Sequence, residues 1–333
     1  MQTPCTYARH LIFATDQQLD LLRTAERWHG DATFGITPTP WYQVYSIHAF
    51  IRVGELLTQV PLVFVLMARK RACDYRAVFL KILDLLKVEG REFPAVTEFM
   101  MDFEAAVWQV LKDVLPHVKL MGCRFHIAQA KFRKLKELGL GPLYKTDVRV
   151  KTYCRQLLSL NLLPAEKIRK RFADIKKQVQ KLPDMTLLNE FCLYVENTWI
   201  NSTVWPPENW STYKQMRRTN NNVEGFHNRI KQIVSSNSPN LVKFIATLRE
   251  ESETINLQAK LVSQGEALSA QRKNTLDIQF HLCKLWDDYD NLQLLSKDLL
   301  EAVADLYASH NKEKFKKLME EEADEIVERP ESP

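Results

Sequence analysis

The six cysteines of this 333-residue chain include no C-x-x-C pair. A disulfide framework or a four-cysteine zinc site would show such recurring spacings, so neither is expected, and a reducing compartment follows. Apolar residues form no long run: the longest covers residues 60–68, whereas a membrane-spanning helix needs roughly 20 residues. The N-terminus also shows no basic stretch followed by an apolar one, the pattern of a secretory signal. The sequence therefore predicts a soluble, intracellular protein.

Charge is unevenly distributed along the chain, although the formal net charge is only +5. Residues 131–181 hold fifteen Lys or Arg against four Asp or Glu, and residues 320–333 hold seven acids against a single Arg329. The basic segment is open to two interpretations, contact with phosphates or a solvated helical face. The acidic tail is expected to be disordered, because it has too few apolar residues to bury.

The spacing of apolar residues predicts an α/β fold, a mixed sheet with helices packed on it, in the order β-β-β-α-β-α-β-α. Three consecutive strands imply a meander, and the later alternation implies parallel strands joined by right-handed crossovers. The predicted strands are residues 31–36, 42–51, 58–67, 96–101 and 118–123. The predicted helices are residues 15–28, 74–88, 104–115 and 127 onward.

Downstream of Gly141 the pattern becomes helical. Pro164 and Pro183 divide the Lys/Arg-rich residues 147–200 into three predicted helices. A long helix over residues 240–263 and a helical pair over residues 276–308 follow. We therefore predict a sheet core over residues 15–140, a helical insertion over 141–215, a completion of the core over 216–265, C-terminal helices over 266–318 and a tail over 319–333.

Three acidic residues stand out because of their positions. Asp31 lies in the first predicted strand, where a buried carboxylate is costly unless something pairs with it. Asp102 ends the fourth strand, where its alternative role is the N-cap of the next helix. Glu224 lies on a later, short helix. Carboxylates placed in this way are suited to two Mg²⁺ ions about 3.5–4 Å apart, which act on the attacking and leaving oxygens of a phosphoryl transfer.

The helix that bears Glu224 is predicted from four apolar residues at helical spacing, Val223, Phe226, Ile230 and Ile233. Glu224 lies at the edge of this apolar face, with His227 and Asn228 three and four residues further on, on the same side of the helix. The alternative interpretation is a capping box, in which Asn221 caps the helix and Glu224 bonds back to it.

Four sequence blocks, in this order, resemble the Mutator-like element (MULE) transposases, members of the DDE superfamily with an RNase H-like fold. The blocks are G-D-A-T-F with W-Y-Q-V-Y-S-I-H-A, M-D-F-E-A-A, C-R-F-H-I-A-Q-A, and R-T-N-N-N-V-E-G-F-H preceded by W-P-P-E-N-W. Together they fall within residues 15–235, and the last block is the most specific. Ala32 stands where the family usually has Gly, a mild change in a strand.

The resemblance implies an RNase H-like, mixed five-stranded sheet flanked by helices. An all-α insertion would precede the helix of the catalytic Glu, and a helical extension would follow it. The resemblance also implies that Asp31, Asp102 and Glu224 are the catalytic residues and that they bind Mg²⁺ or Mn²⁺ in a two-metal site.

Cys123 and His126 match the C-x-x-H pair of the family. A Cys and a His three residues apart could supply two ligands to zinc, but a structural zinc site needs four, so a structural or DNA-positioning role is favoured. The same kind of role is expected of Arg218, Asn221 and His227 in the last block. The basic surplus of the helical insertion is consistent with sequence-independent contacts to the DNA backbone.

The activity that the resemblance implies is metal-dependent DNA cleavage and strand transfer in a nuclear protein. Its partners would be double-stranded DNA, at the terminal inverted repeats of an element and at a target, and a second copy of the chain in a homodimer. The alternative is a truncated or domesticated module that binds DNA or protein without catalysis, because the chain has no Cys/His cluster like the family's zinc-binding DNA-recognition domain. An unrelated helical interaction protein would account for the C-terminal third but not for the four blocks.

Overall fold

The structure, a computed structural model, describes residues 9–34, 36–53, 56–88, 93–215, 221–234, 240–263 and 273–310. For a few residues within these ranges, Glu224 among them, only the backbone is described. The predicted acidic tail lies outside the described residues. The chain divides into two compact units, residues 1–125 with 219–270 and residues 126–218 with 271–333.

The first unit is built on a six-stranded mixed sheet in the order β1-β4-β3-β2-β5-β6. Its strands are β1 (Leu11–Phe13), β2 (Arg27–Thr33), β3 (Gln43–Val53), β4 (Leu56–Met67), β5 (Glu98–Met101) and β6 (Lys119–Gly122). β2, β3 and β4 form the predicted antiparallel meander. β5 pairs in parallel with β2, and β6 in parallel with β5. The prediction of five strands missed β1, which pairs with β4 at the edge.

Thirteen α-helices lie in the described residues. They are α1 (Asp16–Thr24), α2 (Ala72–Leu86), α3 (Ala105–Val114), α4 (Arg124–Glu137), α5 (Leu140–Thr146), α6 (Val148–Ser159), α7 (Ala165–Val179), α8 (Thr186–Val195), α9 (Pro207–Trp210), α10 (Asn221–Val234), α11 (Leu241–Ser263), α12 (Lys273–Asp290) and α13 (Ser296–His310). The fold is therefore the predicted mixture of helices and strands.

The first helix ends earlier than predicted. Thr15 and Gln18 form a capping box at its start, with Gln18 N donating to Thr15 Oγ1 at 3.2 Å and Thr15 N to Gln18 Oε1 at 2.9 Å. The chain leaves the helix at Thr24, and Trp28 lies in β2 with its Nε1 donating to the Leu22 carbonyl at 3.1 Å. The first long strand thus begins at Arg27 rather than at Asp31, and Asp31 lies near its carboxyl end.

The helices α10 and α11 cover one face of the meander. The buried residues of this contact are Ile36, Val44, Phe64, Leu66, Phe226, Ile230, Val234, Phe244 and Leu248. Val223, Phe226 and Ile230 are buried as predicted, but Ile233 is 43 % exposed, and Val234 is buried in its place. The reason is geometric: steps of four residues from Phe226 lead to Ile230 and Val234 on one side of the helix.

The second unit is helical. It contains most of α4, the helices α5–α9, and the C-terminal helices α12 and α13. Trp286 of α12 anchors the unit, with Nε1 donating to the Leu162 carbonyl at 3.0 Å. The C-terminal helices thus belong to the same compact unit as the predicted insertion. No helix within the described ranges is both long and apolar enough to cross a membrane.

Two side chains depart from the general expectations for the basic segment and for the cysteines. Lys131, the first lysine of the basic segment, is fully buried instead of solvated, and its Nζ donates to the Leu157 carbonyl at 3.0 Å. Cys73, at the start of α2, is disulfide-bonded, contrary to the expectation of a fully reduced chain. Cys123, Cys154, Cys192 and Cys283 do not take part in disulfide bonds.

Candidate active site

The carboxyl ends of four strands meet at one edge of the sheet. β2 and β4 run in the same direction because each is antiparallel to β3, and β5 and β6 are parallel to β2. Asp31 lies near the end of β2, Asp102 directly follows β5, and Cys123 directly follows β6. In sheets with parallel strands, this edge is where ligands and catalytic groups are found.

Asp31 and Asp102 lie near the carboxyl ends of neighbouring parallel strands. His29 of β2 is the register partner of Met100 of β5. Asp31 lies two residues beyond His29 in β2, and Asp102 lies two residues beyond Met100, directly after β5 ends at Met101. Both predicted metal-binding aspartates are therefore at the same edge of the sheet.

Asp31 is held inside the fold. It is only 5 % exposed and pairs in register with Ser46 of β3. Its Oδ1 accepts a hydrogen bond from the backbone N–H of Ala32 at 3.0 Å. Its Oδ2 lies 3.6 Å from Nδ1 of His227 on α10, too far for a hydrogen bond but close enough for electrostatic attraction to a proton on that nitrogen. Helix α10, which carries Glu224, therefore approaches Asp31 through the side chain of His227.

Ser46 links two histidines next to Asp31. Its Oγ lies 2.9 Å from Nε2 of His227 and 2.9 Å from Nε2 of His48, and all three side chains are buried. A serine hydroxyl donates one hydrogen bond and accepts two, so it can serve both rings. Burial, with the neighbouring His227 and His29, holds the pKa of His48 well below its usual value, so His48 is neutral. In the tautomer of His227 that carries its proton on Nδ1, that proton faces the carboxylate and Nε2 accepts from Ser46.

Gly30 leaves room for the side chain of Tyr45, which lies on the neighbouring strand β3. A Cβ atom at Gly30 would lie 2.2 Å from the hydroxyl oxygen of Tyr45 and 2.8 Å from Cε2 of Phe99, which no real contact allows. Burial raises the pKa of Tyr45 well above its usual value, and the charges of Asp102, Asp31 and Glu104 raise it further. The glycine that precedes Asp31 is therefore required by packing.

Asp102 does not cap the following helix. The N-cap of α3 is Glu104, which makes no side-chain cap hydrogen bond. The Asp102 carbonyl accepts a hydrogen bond from Trp108 Nε1 at 2.6 Å, so α3 fixes the backbone at the strand end. Burial raises the pKa of the Asp102 carboxyl to about 6, while hydrogen bonds from the backbone N–H of Glu104 and its own lower it. The N-cap alternative for Asp102 is therefore wrong, and its side chain remains at the sheet edge.

Glu104 is a further acid beside Asp102. Its Oε2 accepts a hydrogen bond from the Tyr75 hydroxyl at 3.0 Å, and Gln43 Nε2 donates to that hydroxyl at 2.6 Å. Its Oε1 is buried and has no hydrogen-bond partner in the described part of the chain. Burial raises the pKa of Glu104 to about 7, and the charge of Asp102 raises it as well. A buried oxygen without a donor is suited to accept a ligand.

The remaining members of the last block are only partly described. The backbone of Glu224 lies in α10, one turn before His227, whose ring contacts Asp31. The side chains of Glu224 and Asn221 lie outside the described residues, as does Arg218. The capping-box alternative for Asn221 and Glu224 therefore stays a prediction, and so does the metal-binding role of Glu224.

The C-x-x-H pair lies at the junction between β6 and α4. Cys123 is fully buried and packs with Met100 and Met121 in a small apolar cluster. His126 is on the first turn of α4, and burial lowers its pKa to about 4, so it is neutral at physiological pH. An apolar environment around the thiol fits the structural role better than metal binding, since a thiol ligand must ionise.

The donor set suits a hard cation. The oxygens of Asp31, Asp102 and Glu104 are the ligand type that Mg²⁺ and Mn²⁺ prefer. Within the residues whose side chains are described, no group of three or more His, Cys, Asp or Glu is arranged to hold a metal ion. The third predicted ligand, Glu224, is not among those side chains.

Sequence reasoning missed Ser46, His48 and Glu104 as site residues. Ser46 and His48 are two apart in a strand, so their shared face is readable from the sequence. Their closeness to Asp31 depends on the register between β2 and β3, which the sequence alone does not give. Glu104 was missed because its contact with Tyr75 depends on how α2 packs beside the start of α3, which the sequence alone does not give.

Part of the chain matches a known protein family. Residues 28–130 match the MULE transposase domain. This range begins in β2, contains Asp31, Asp102, Cys123 and His126, and ends in α4. No curated protein matches the chain. The chain therefore carries a MULE transposase domain over these residues.

Proposed function

We propose that this protein is a divalent-metal-dependent transposase that cleaves DNA and transfers the cut strand. The observation that carries the proposal is the position of Asp31 near the end of β2 and of Asp102 directly after β5, at one edge of the sheet and within the MULE transposase domain. The contact between His227 and Asp31 supports a role for α10, the helix that bears Glu224. The proposed core is of the RNase H-like, DDE type.

Asp31, Asp102 and Glu224 would hold Mg²⁺ or Mn²⁺ through carboxylate oxygens. The chemistry that such ions supply when bound is activation of the attacking oxygen and stabilisation of the leaving oxygen at phosphorus. In cleavage, a water oxygen forms a bond to phosphorus, and the bond to the 3′-oxygen of the strand breaks. In transfer, the freed 3′-hydroxyl attacks a phosphodiester of the target and displaces its 3′-oxygen.

The protein's own residues orient the carboxylates for this reaction. The Ala32 N–H donates to one oxygen of Asp31, and His227 lies 3.6 Å from the other. The Ser46 hydroxyl lies 2.9 Å from the His227 ring and helps to hold it in place. Trp108 fixes the backbone at Asp102. Pre-organisation of this kind lowers the barrier because no reorientation is needed during the reaction.

The proposed partners are double-stranded DNA, at the ends of an element and at a target site, and a second copy of the chain, since two ends must be joined together. The Lys- and Arg-rich helices of the second unit are proposed to contact phosphates without reading sequence. The nucleus is the proposed location because the substrate is chromosomal DNA.

The test is nicking of supercoiled plasmid by the full chain in Mg²⁺ or Mn²⁺, with Asp102→Asn and Glu224→Gln compared in parallel. Both changes are nearly isosteric, so loss of activity reports the missing charge. Asp298→Asn, at an exposed residue at the start of α13, serves as the matched control. We expect metal-dependent nicking by the unchanged protein and the control, and a loss of at least about 100-fold in the two variants.

Nicking at equal rates in all four proteins would reject the assignment of the carboxylates. A folded protein that binds DNA but does not nick it in either metal would reject catalysis. That result would leave the domesticated, DNA-binding module as the function.

A further inference from the structure

Lys70 lies at the same edge of the sheet as the proposed metal ligands. It belongs to the turn between the end of β4 at Met67 and the start of α2 at Ala72. Because β4 runs in the same direction as β2, this turn opens on the edge that carries Asp31. None of the four sequence blocks contains Lys70, so nothing in the motif analysis marks it.

The backbone on both sides of Lys70 is fixed by hydrogen bonds. On one side, the N–H of Ala68 donates to His10 Nδ1 at 3.3 Å. On the other side, the N–H of Arg71 donates to Asp74 Oδ2 at 3.0 Å, and the Arg71 guanidinium donates to the same carboxylate at 2.8 and 3.0 Å. The Lys70 side chain therefore starts from a defined position beside the site.

The ammonium group of Lys70 rests on an aromatic ring. Its Nζ lies 5.6 Å from the centroid of the Tyr42 ring, and Phe34 packs edge-on against the same ring at 5.5 Å. Within the described ranges, Lys70 makes no ion pair or hydrogen bond. A cation–π contact holds an ammonium without using its three N–H donors, which stay available to an anion.

The charge of Lys70 acts on two carboxylates without pairing with either. Burial raises the pKa values of Asp102 and Glu104, and the charge of Lys70 opposes this rise in both. Neither carboxylate lies within ion-pair distance of the ammonium. A lysine that lies near two carboxylates without pairing with either can neutralise an anion that binds beside them.

We propose that Lys70 binds a phosphate of the DNA strand that lies against Asp31 and Asp102. The inference rests on the proposed function, since that function brings a phosphodiester to this edge. Tyr42 and Phe34 keep the ammonium at the site, and its positive charge offsets the repulsion between the phosphate and the carboxylates. Lys70 is thus a substrate-positioning residue and takes no part in bond making.

The salt dependence of DNA binding tests this role without requiring cleavage. Affinity of the full chain for a fluorescent duplex is measured by anisotropy between low and moderate NaCl, in the absence of divalent metal. Each phosphate neutralised by the protein contributes about −0.9 to the slope of log affinity against log salt. We expect Lys70→Met to make the slope shallower by about 0.9 and to weaken binding, and Lys70→Arg to retain the original slope.

The matched control is Lys81→Met, which removes the same charge from an exposed residue of α2 that pairs with Asp84 at 3.1 Å. Its slope should equal that of the unchanged protein. Equal slopes for Lys70→Met and Lys81→Met, or no DNA binding at all, would overturn the inference. Melting temperatures of the three variants within about 2 °C of the parent would show that the change in slope is not a folding defect.

Plasmid nicking separates this inference from the function on which it rests. Metal-dependent nicking together with an unchanged slope for Lys70→Met would reject the role of Lys70 and leave the catalytic proposal intact. A shallower slope together with no nicking would support the phosphate contact and reject catalysis.

Discussion

The hydroxyl of Ser46 lies 2.9 Å from Nε2 of His227, although 181 residues separate them in the sequence. Through this contact β3 of the sheet is joined to α10. The same hydroxyl lies 2.9 Å from His48, and the far side of the His227 ring faces Asp31. A chain of polar side chains thus runs from the interior of the sheet to the first candidate metal ligand.

Replacing Ser46 by alanine should destabilise the first unit. The change leaves ring nitrogens of two buried histidines without their shared partner, which costs about 1–3 kcal/mol. The measurement is urea unfolding followed by circular dichroism. Thr254→Ala is the control, because that hydroxyl is exposed and donates to the Glu250 carbonyl in its own helix. It should change the free energy of unfolding by no more than about 0.5 kcal/mol, and an equal effect of both changes would contradict the prediction.

A methyl group at Gly30 should also be destabilising. In Gly30→Ala the new carbon would clash with the Tyr45 hydroxyl and with Phe99, and overpacking of this kind costs about 1–3 kcal/mol. Because the nearest atom is the Tyr45 hydroxyl oxygen, adding Tyr45→Phe should recover part of the loss. Gly141→Ala, where a Cβ atom meets nothing within 4 Å, should be neutral or slightly stabilising. A double variant no more stable than Gly30→Ala would argue against this packing.

Two adjacent residues test the rotation of α10 about its axis. Val234 is fully buried and Ile233 is 43 % exposed. Val234→Asn would bury an unpaired amide and should lower the free energy of unfolding by about 2 kcal/mol or more. Ile233→Asn should lower it by less than about 1 kcal/mol. Chemical denaturation of the two variants gives the comparison. The opposite order would mean that α10 is rotated about its axis, with His227 turned away from Asp31.

The stability of the protein should depend on pH through Lys131. Burial lowers the pKa of Lys131 to about 7, whereas in the unfolded chain it has its ordinary value of about 10.4. Between these values the unfolded state binds more protons, so the free energy of unfolding rises as pH rises from about 7 to 10. Lys131→Met keeps the aliphatic stem and removes the charge. We expect it to lose this rise, which is of the order of a few kcal/mol.

The comparison for Lys131→Met is Lys145→Met, at an exposed residue of α5. The unfolding free energies of parent, variant and control are measured at several pH values between 6 and 10. A pH dependence of Lys131→Met identical to that of the control would mean that the buried lysine is not the source of the effect.

The sequence was sufficient for the meander and the two crossovers, because the long strands are rich in β-branched and aromatic residues and the helices between them are clearly amphipathic. It was insufficient for β1, whose three residues are too few to show an alternation. The boundary between α1 and β2 was misplaced because Trp28 also fits the helical period that begins at Thr15. The local sequence pattern does not show that the Trp28 ring is buried against the end of α1.

The candidate site was predictable only where single residues sit in recognisable blocks. Asp31 and Asp102 were named in this way, and both lie at the same edge of the sheet. Glu104 and Lys70 were not named, because their contacts with Tyr75 and Tyr42 join separate elements of the fold. Contacts of this kind depend on tertiary packing, which local sequence patterns do not specify.

The first unit is discontinuous, since residues 126–218 separate its two parts. During synthesis, therefore, the strands that carry Asp31 and Asp102 leave the ribosome well before α10. Contacts between residues so far apart in the sequence require the closure of a long loop, which lowers the entropy of the chain. They therefore form late in folding. His227 can approach Asp31 only after the intervening helices have been made. The protein is thus built so that a partly synthesised chain cannot assemble the full set of candidate catalytic residues.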